Sequence, residues 1–343
     1  MLQTTRREPA LQMRLDLRIG AGLPVVFVLL ICHYNRKKPN DLLRLQQVKT
    51  KILPQRVADC DLTFGNDTYI IRLRCESSRK NMQTKARGAD MSVEHITSRK
   101  NALMTHIRKL AGSRAYRRES GEYLCDGVKL LEEALKWNAP IQTIVFSDGM
   151  DTPTLPDCVR TVQIPADVMR SVSPMETPQG VLFTVALPEA PRPEVLTGAH
   201  YLVLDGVQDP GNVGTILRTA DAFDCDGVFL VNACADPYSP KTARATMGAV
   251  FRRSVYQCEL AELCALLTKS SLPLYGTALR DDTVSLRDAD LSRAAVAIGS
   301  EGRGLSAEML AKCEKTIKIP MSPRCESLNA ALAAGVVLWE MYR

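Results

Sequence analysis

The sequence predicts an α/β fold in which a parallel sheet fills the C-terminal part and a smaller α/β domain precedes it. Apolar strand-like runs alternate with helix-like runs from about Met91 onward. Several C-terminal runs, among them Tyr201 to Val207 and Ala294 to Gly299, are apolar on both faces, as strands of a covered parallel sheet are. Three glycine-rich and polar loops follow such runs, and ligands of open parallel sheets bind beyond the carboxyl ends of the strands.

Length, charge and cysteine usage limit the class of protein. The chain has 343 residues and a formal net charge of +6, which suits two domains that meet a polyanion. Its 11 cysteines are dispersed without a C-x-x-C pair, so we expect reduced thiols, a cytoplasmic location and no metal centre. The apolar run from Leu23 to Cys32 is shorter than the roughly 20 residues of a membrane span, so no membrane association is expected.

Residues 1–90 differ from the rest of the chain. They show no sustained helical or strand periodicity and mix basic runs with isolated hydrophobic residues, and this character changes at Met91. We interpret residues 1–90 as a poorly ordered extension that arises from a mis-assigned start, with Met91 as the true first residue. A disordered or targeting tail is the alternative.

Residues 91–187 are predicted to form the smaller α/β domain. Its first helix runs from Lys100 to Leu110, where apolar residues recur at helical spacing. The pattern then predicts a strand from Glu122 to Gly127, a helix from Val128 to Trp137, strands from Gln142 to Ser147 and Val162 to Ile164, a short helix near Ala166 to Met169, and a strand from Gly180 to Val185. These elements alternate as βαβ units do. Residues 188–199, which hold three prolines, are interpreted as a linker.

Residues 200–343 are predicted to form the second domain. The predicted strands are Tyr201 to Val207, Gly227 to Asn232, Ser254 to Gln257, Pro273 to Leu279, Ala294 to Gly299 and Thr316 to Ile319. The predicted helices are Gly211 to Phe223, Lys241 to Met247, Leu260 to Leu267, Ser306 to Cys313 and Ser327 to Tyr342.

The first polar loop begins at Asp209 and leads into a helix. Gly211 and Gly214 do not form the G-x-G-x-x-G pattern, and Asn232 ends the next strand where a dinucleotide-binding fold has an acidic residue. No Gly-Lys-Ser or Gly-Lys-Thr follows, which excludes a P-loop. Asn212 and Gly214 suit a turn with unusual backbone angles. Arg218 lies one helical turn past Gly214, and a solvated helix arginine is its alternative interpretation.

The second and third loops are also rich in residues that can contact a ligand. The second holds three glycines between Gly299 and Leu305, which would let the backbone approach a bound molecule closely. Its Glu301 could instead cap a helix that begins at Ser306. In the third loop, Ser327 stands at a predicted helix start, where N-capping is the default interpretation of a serine.

Together the loops resemble the three motifs of the SpoU/TrmH family of RNA ribose 2′-O-methyltransferases, which belongs to the SPOUT superfamily. The segments concerned are Asn212-x-Gly214-x-x-x-Arg218, Gly299-Ser300-Glu301-Gly302-x-Gly304-Leu305, and Ile319-Pro320-Met321 to Ser327-Leu328-Asn329. Asp126-Gly127 and Glu176 to Gly180 are similar to the L30e-like RNA-binding domain of that family. The resemblance implies a trefoil knot that holds S-adenosyl-L-methionine, and a homodimer. One departure is Asn329-Ala330-Ala331, where many relatives have Asn-Val-Ser.

The same resemblance implies the site residues. The residues expected at the methyl-transfer site are Asn212, Arg218, Glu301, Ser327 and Asn329. The residues expected to bind the cofactor are Thr277, Gly299, Glu301, Gly302, Ile319, Met321, Leu328 and Asn329. No histidine occurs near any motif, so the usual base at neutral pH is missing. A guanidinium rarely gives up its proton, so we expect Arg218 to position the 2′-oxygen and a phosphate rather than act as the base.

A basic stretch in the smaller domain predicts contact with RNA. Its cations, which no acidic residue interrupts, are Arg99, Lys100, Arg108, Lys109, Arg114, Arg117 and Arg118. A solvated helix face is the alternative, but phosphate contacts dominate nucleic-acid affinity. The expected function is therefore S-adenosylmethionine-dependent methylation of a ribose 2′-hydroxyl in structured RNA, ribosomal RNA of the 23S type above all. Transfer RNA as substrate, a non-catalytic RNA-binding or assembly protein, and a small-molecule methyltransferase are the alternatives.

Overall fold

The structure is a computed structural model, and it describes residues 29–33, 57–65, 68–75, 93–150, 155, 159–188, 193–280, 282–325 and 327–343. The chain divides into two compact units, Met1–Ser92 and Val93–Arg343. Among these described residues, no helix is long and apolar enough to cross a membrane.

The first unit contains a small antiparallel sheet. Its strands are Leu29–His33 (β1), Val57–Gly65 (β2) and Thr68–Cys75 (β3), in the order β1-β3-β2. The sequence prediction that this stretch lacks strand periodicity is therefore wrong for these residues. Apolar and basic residues alternate from Ile71 to Arg74, which is the two-residue period of a strand. Met91 lies outside the described residues, so its assignment as the true start stays a prediction.

The second unit begins with a five-stranded mixed sheet. Its strands are Glu94–His95 (β4), Glu122–Asp126 (β5), Ile141–Ser147 (β6), Arg160–Ile164 (β7) and Val181–Ala186 (β8), in the order β4-β7-β6-β8-β5. The first three strands in that order are parallel, whereas β8 runs antiparallel to both β6 and β5. The expected βαβ arrangement is therefore only partly correct, because alternation of strands and helices along a sequence does not specify strand direction.

Four helices accompany this sheet in the part of the domain that the structure describes. They are Ala102–Gly112 (α1), Arg114–Ser120 (α2), Val128–Lys136 (α3) and Ala166–Val172 (α4). Helix α1 buries Leu103, Met104, Ile107 and Leu110, close to the predicted apolar stripe. Helix α2 was not predicted as a separate helix, because its basic run has no such stripe. It begins after Ser113, whose side chain accepts a hydrogen bond from the Tyr116 amide at 3.1 Å.

The remainder forms the seven-stranded sheet that carries the three polar segments. Its strands are His200–Asp205 (β9), Gly227–Val231 (β10), Val255–Gln257 (β11), Leu274–Thr277 (β12), Val284–Ser285 (β13), Ala294–Gly299 (β14) and Lys315–Lys318 (β15). They are all parallel, in the order β11-β10-β9-β14-β12-β15-β13. The predicted parallel sheet is confirmed.

Helices cover both faces of this sheet. They are Pro210–Ala222 (α5), Pro240–Ala245 (α6), Leu260–Lys269 (α7), Ala307–Leu310 (α8) and Ala330–Tyr342 (α9). Helices α5 and α9 pack on one face, where Leu217 and Val337 are fully buried. Helices α7 and α8 pack on the other face through Leu263 and Met309. Full burial of each such side chain contributes about 1.5–3 kcal/mol to folding.

The two domains of the second unit pack directly against each other. Ala243 of α6 is buried among residues of the smaller domain, including Tyr123 and Phe183. The Tyr123 ring lies 5.1 Å from the ring of Tyr238, which precedes α6. The loop before α6 and α6 itself therefore form part of the seam, the surface where the two domains meet. Part of the predicted linker, residues 189–192, lies outside the described residues.

Candidate active site

The carboxyl ends of four neighbouring strands meet at one edge of the seven-stranded sheet. Strands β9, β14, β12 and β15 are consecutive in the sheet and parallel. Gly299, the last residue of β14, lies opposite Asp205, the last residue of β9. All three predicted motifs follow strands of this set, so the structure brings them to the same edge.

The first motif is helical rather than a turn. Asp209 caps α5, since its side chain accepts a hydrogen bond from the Asn212 amide at 2.8 Å. Asn212 and Gly214 lie within α5, and neither has a positive φ, so the expected unusual turn is wrong. A Cβ atom at position 214 would lie 2.5 Å from the Cβ of Ala245 and 2.6 Å from the carbonyl oxygen of Thr242. Gly214 is therefore required for the close approach of α5 and α6.

The second motif closes on itself. Ser300 donates its backbone N–H to the Gly304 carbonyl at 3.1 Å, and Gly304 donates to the Ser300 carbonyl at 2.9 Å. A Cβ atom at position 299 would lie 2.1 Å from the carbonyl carbon of Gly304. The backbone that Gly299 approaches is thus the loop's own. Close approach of Gly299 to a cofactor remains a prediction.

The third motif begins helix α9 at a different residue from the one predicted. Asn329 caps α9, because its Oδ1 accepts hydrogen bonds from the amides of Ala331 at 2.9 Å and Leu332 at 3.3 Å. The expectation that Ser327 caps this helix is wrong, since an asparagine stands where the first turn closes. The alternative in which Glu301 caps α8 is also wrong, because Ser306 does so itself.

Hydrogen bonds join the three motifs into one polar chain. The Asn329 side-chain amide donates to Asn212 Oδ1 at 3.0 Å. The Asn212 amide donates in turn to Glu301 Oε1. The two amides therefore hold the Glu301 carboxylate in place at the edge of the sheet, where it can accept a further hydrogen bond.

A cavity of about 280 Å³ opens beside these hydrogen-bonded side chains. Its lining includes seven predicted site residues: Thr277, Gly299, Glu301, Ile319, Met321, Ser327 and Leu328. Gly302 and Asn329 do not line it. The lining that the prediction missed includes Ala278, Leu279, Ile298, Ile317 and Lys318, which stand next to the motifs at strand ends. Many of the lining residues are apolar, which suits a ligand with an apolar ring.

Within a single copy of the protein, Arg218 does not contact the hydrogen-bonded side chains of Asn329, Asn212 and Glu301. It is exposed on α5 and does not line the cavity. It is six positions from Asn212 in the sequence, which places the two side chains about 120° apart around the helix. Within the described part of the chain, Arg218 makes no hydrogen bond or ion pair. A substrate or a second chain must therefore complete any site that uses both residues.

The seven predicted RNA-binding cations have different surroundings. Arg99 forms an ion pair with Asp167 at 2.6 Å, and Arg108 donates to backbone carbonyls. Arg117 is only 4% exposed and donates to Asp236 at 2.6 and 3.0 Å. Its predicted contact with RNA is therefore corrected, because the buried side chain joins the two domains instead.

The other four cations of that stretch keep more freedom. Lys109 lies over the ring of Tyr116, 5.1 Å from its centroid, and Lys100 is exposed. Arg114 and Arg118 are exposed and both donate to Gln257 Oε1. Sequence reasoning also missed Lys241, an exposed cation 3.8 Å from Asp209 at the start of α5.

Asp126 marks the predicted RNA-binding motif of the smaller domain. It is 3% exposed, and its Oδ2 accepts a hydrogen bond from Ser173 Oγ at 2.8 Å. Burial raises the pKa of this carboxyl above its ordinary value, although the Ser173 hydroxyl and the charge of Arg244 act in the opposite direction. The next residue, Gly127, donates its amide at 3.1 Å to the carbonyl of Val181, the residue that directly follows the second predicted segment.

Two buried thiols of the seven-stranded sheet domain are unreactive. Cys225 and Cys234 are both buried and form no disulfide. Burial raises the pKa of both of these thiols to about 11, so they remain protonated at neutral pH. Across the residues that the structure describes, no group of histidine, cysteine and acidic side chains could hold a metal ion.

Known proteins are similar to this chain in sequence and in fold. A profile of the SpoU rRNA Methylase family matches residues 199–339, and a profile of the MRM3-like substrate binding domain matches residues 101–182. The chain is 31% identical over 250 residues to the 23S rRNA (guanosine(2553)-2'-O)-methyltransferase RlmP of Bacillus subtilis (strain 168), which covers 73% of this chain and 99% of the relative. It is 28% identical over 298 residues to the human mitochondrial rRNA methyltransferase 3, which covers 69% of this chain and 71% of the relative.

Solved structures agree with these matches. The AdoMet-bound rRNA methyltransferase from Sinorhizobium meliloti superimposes with a TM-score of 0.65 at 29% identity, over 73% of this chain and 97% of that one. The SpoU methyltransferase AviRb from Streptomyces viridochromogenes, in complex with AdoMet, gives a TM-score of 0.63 at 27% identity, over 71% and 98%.

Proposed function

The chain belongs to the SpoU rRNA methylase family, and we propose that it transfers a methyl group from S-adenosyl-L-methionine to a ribose 2′-hydroxyl of ribosomal RNA. The observation that carries this proposal is the chain of hydrogen bonds from Asn329 through Asn212 to Glu301 beside the cavity. Relatives whose names specify ribosomal RNA favour that substrate over transfer RNA.

The cavity fits the cofactor by its chemistry. Leu279, Ile298 and Ile317 offer an apolar wall for an adenine ring. Family membership implies that the backbone of Ile319 and Leu328, which also line the cavity, contacts the edges of the ring. The volume of about 280 Å³ lies close to the lower end of the roughly 300–1,000 Å³ range of small-molecule sites. When bound, S-adenosylmethionine supplies an electrophilic methyl group on a sulfonium.

The residues of the chain then have separate tasks. Glu301, held by Asn212, accepts a hydrogen bond from the ribose hydroxyl and can take its proton as the 2′-oxygen forms the new bond. His200 stands at the first residue of β9, the opposite end of the strand from the motifs, so it cannot serve as the base. Arg218 positions the ribose and an adjacent phosphate, because orientation alone can contribute roughly 7–11 kcal/mol to the barrier reduction.

A homodimer and a trefoil knot are part of the proposal. Helix α9 is apolar on nearly every side, yet Leu332 is 63% and Trp339 55% exposed, with Val336 between them on one stripe. Such a helix is normally buried all round, so a second copy is expected to cover the stripe. The groove between this stripe and α5 also includes Asn212 and Asn329, which places the expected dimer face beside the site. The knot is inferred from family membership.

Substitutions on the stripe test the dimer. Val336→Glu should convert the protein to a monomer in light scattering, because a buried charge has no partner in a dimer core. Val195→Glu, at an exposed apolar residue outside this groove, is the matched control and should remain dimeric. A dimeric Val336→Glu variant would contradict this assignment.

Purified protein and labelled S-adenosylmethionine test the reaction. Incubation with ribosomal RNA should place label on a ribose, where 2′-O-methylation blocks alkaline cleavage at that nucleotide. Label on transfer RNA alone would move the substrate to the alternative class. RNA binding without label on either RNA would favour a non-catalytic RNA-binding protein. We also propose a cytoplasmic location, which the dispersed cysteines without a C-x-x-C pair favour.

A further inference from the structure

We propose that Arg114, Arg118 and Gln257 form a phosphate-binding subsite for the substrate RNA at the seam between the two domains. The inference rests on the proposed function and deepens it, because it names a place where the RNA backbone contacts both domains at once. Arg114 and Arg118 belong to α2 of the smaller domain, whereas Gln257 is the last residue of strand β11 in the seven-stranded sheet.

Two guanidinium groups converge on one neutral oxygen at this seam. Arg118 Nη2 lies 2.8 Å from Gln257 Oε1, and Arg114 Nη2 donates to the same atom. Neither arginine has a carboxylate partner among the described residues. Like charges four residues apart on a helix repel each other, and an anion held between them would remove that repulsion.

The neighbouring arginines show that this pair is different. Arg99 has a carboxylate partner in Asp167, and Arg117 has one in Asp236. Arg108 is satisfied by backbone carbonyl oxygens. Among these described arginines, Arg114 and Arg118 are therefore the two that lie together on one acceptor with no carboxylate beside them. Arginine forks match the oxygens of a phosphate in pairs, which identifies the anion class.

The surrounding space admits a nucleotide. A cavity of about 650 Å³ adjoins the pair, with both arginines and Gln257 in its wall. Glu259 and Glu262 also line it, but they form the capping box of α7: the Glu259 amide donates to Glu262 Oε2 at 3.0 Å. Their negative charge therefore faces the positive end of that helix.

The subsite and the methyl-transfer site share one edge of the sheet. Gln257 stands at the carboxyl end of β11, which is separated from β9 by β10 alone. Two strand spacings of about 4.8 Å amount to roughly 10 Å. An RNA strand whose ribose lies at Asn212 therefore passes within reach of the arginine pair. Phosphate contacts of this kind fix the register of an RNA rather than read its bases.

Gln257→Glu is the sharpest test, because it puts a carboxylate where the neutral oxygen accepts both guanidinium groups. The variant should be at least as stable as the wild type, since it gains an internal ion pair with Arg114 and Arg118. It should nevertheless bind a 23S-type ribosomal RNA transcript roughly tenfold more weakly. The slope of log affinity against log salt should become shallower by about 0.7–0.9, the contribution of one phosphate.

Two further variants complete the comparison. Arg118→Gln should give the same reduced slope by removing the cation itself. Lys269→Gln, which removes one exposed positive charge at the end of α7 near Glu194, should keep the wild-type slope. Wild-type affinity and slope in Gln257→Glu would overturn the subsite. If the wild-type protein binds the transcript but transfers no methyl group, the proposed function fails while the slope comparison still decides the subsite.

Discussion

Asn329 donates its side-chain amide to Asn212 Oδ1 across 3.0 Å, and the two residues are 117 positions apart in the chain. Asn329 caps α9, and Asn212 lies in the first turn of α5. The contact therefore joins two helix N-termini beside the cavity. Because the Asn212 amide then reaches Glu301, the same contact determines where that carboxylate lies.

The capping and donating tasks of Asn329 can be separated. Asn329→Asp keeps an oxygen that accepts from the α9 amides but cannot donate to Asn212, so we expect near wild-type stability and a clear loss of methyl transfer. Asn329→Ala should lose both, with a stability cost of about 0.5–2 kcal/mol measured by urea unfolding. Full activity in Asn329→Asp would show that the bond to Asn212 is dispensable.

Gly299 should not tolerate a side chain. Gly299→Ala places a methyl group 2.1 Å from a backbone carbon of Gly304, so the second motif must open. We expect a loss of about 1–3 kcal/mol in stability and of S-adenosylmethionine binding measured by calorimetry. Gly302→Ala is the matched control, because a Cβ atom there meets nothing within 4 Å. Equal cofactor affinity in the two variants would contradict the role of Gly299.

Arg218 should affect transfer rather than cofactor binding. Because it lies outside the cavity, Arg218→Ala should bind S-adenosylmethionine normally and lose about 10²-fold or more in turnover, as expected when a reactant is misplaced. Arg218→Lys keeps the charge but not the planar fork, so it should recover only part of the rate. Near-normal turnover in Arg218→Ala would refute the assignment.

Asp126 should make stability depend on pH. Its pKa in the folded protein is raised, so the folded state holds the proton more tightly than the unfolded chain. The resulting stabilisation is complete below the unfolded pKa of about 3.9 and is lost as pH rises through the folded pKa. Urea unfolding from about pH 4 to 7 should show that wild type loses stability relative to Asp126→Asn. Parallel curves would show that the burial of Asp126 has no such effect.

Much of the catalytic sheet could be predicted from the sequence, because strands such as Ala294–Gly299 are apolar on both faces and end in glycine-rich loops. The partner of Arg117 could not be predicted from the sequence. A basic run indicates charge but not that one guanidinium is buried against Asp236, 119 residues further on.

The site was likewise only partly predictable. The motifs indicate which residues lie near the cavity, and several do line it. Which side chain caps α9, and why Gly214 must be glycine, depend on contacts between distant segments. Ser327 and Asn329 are both good capping residues, and only the geometry of the first turn of α9 distinguishes them.

Mapping of ribose methylation in ribosomal and transfer RNA from cells with and without this gene tests the proposed reaction. We predict that a 2′-O-methyl group disappears from one nucleotide of 23S-type ribosomal RNA when the gene is removed, and that the wild-type gene restores it whereas Arg218→Ala does not. An unchanged methylation pattern in both classes of RNA would contradict the proposed reaction.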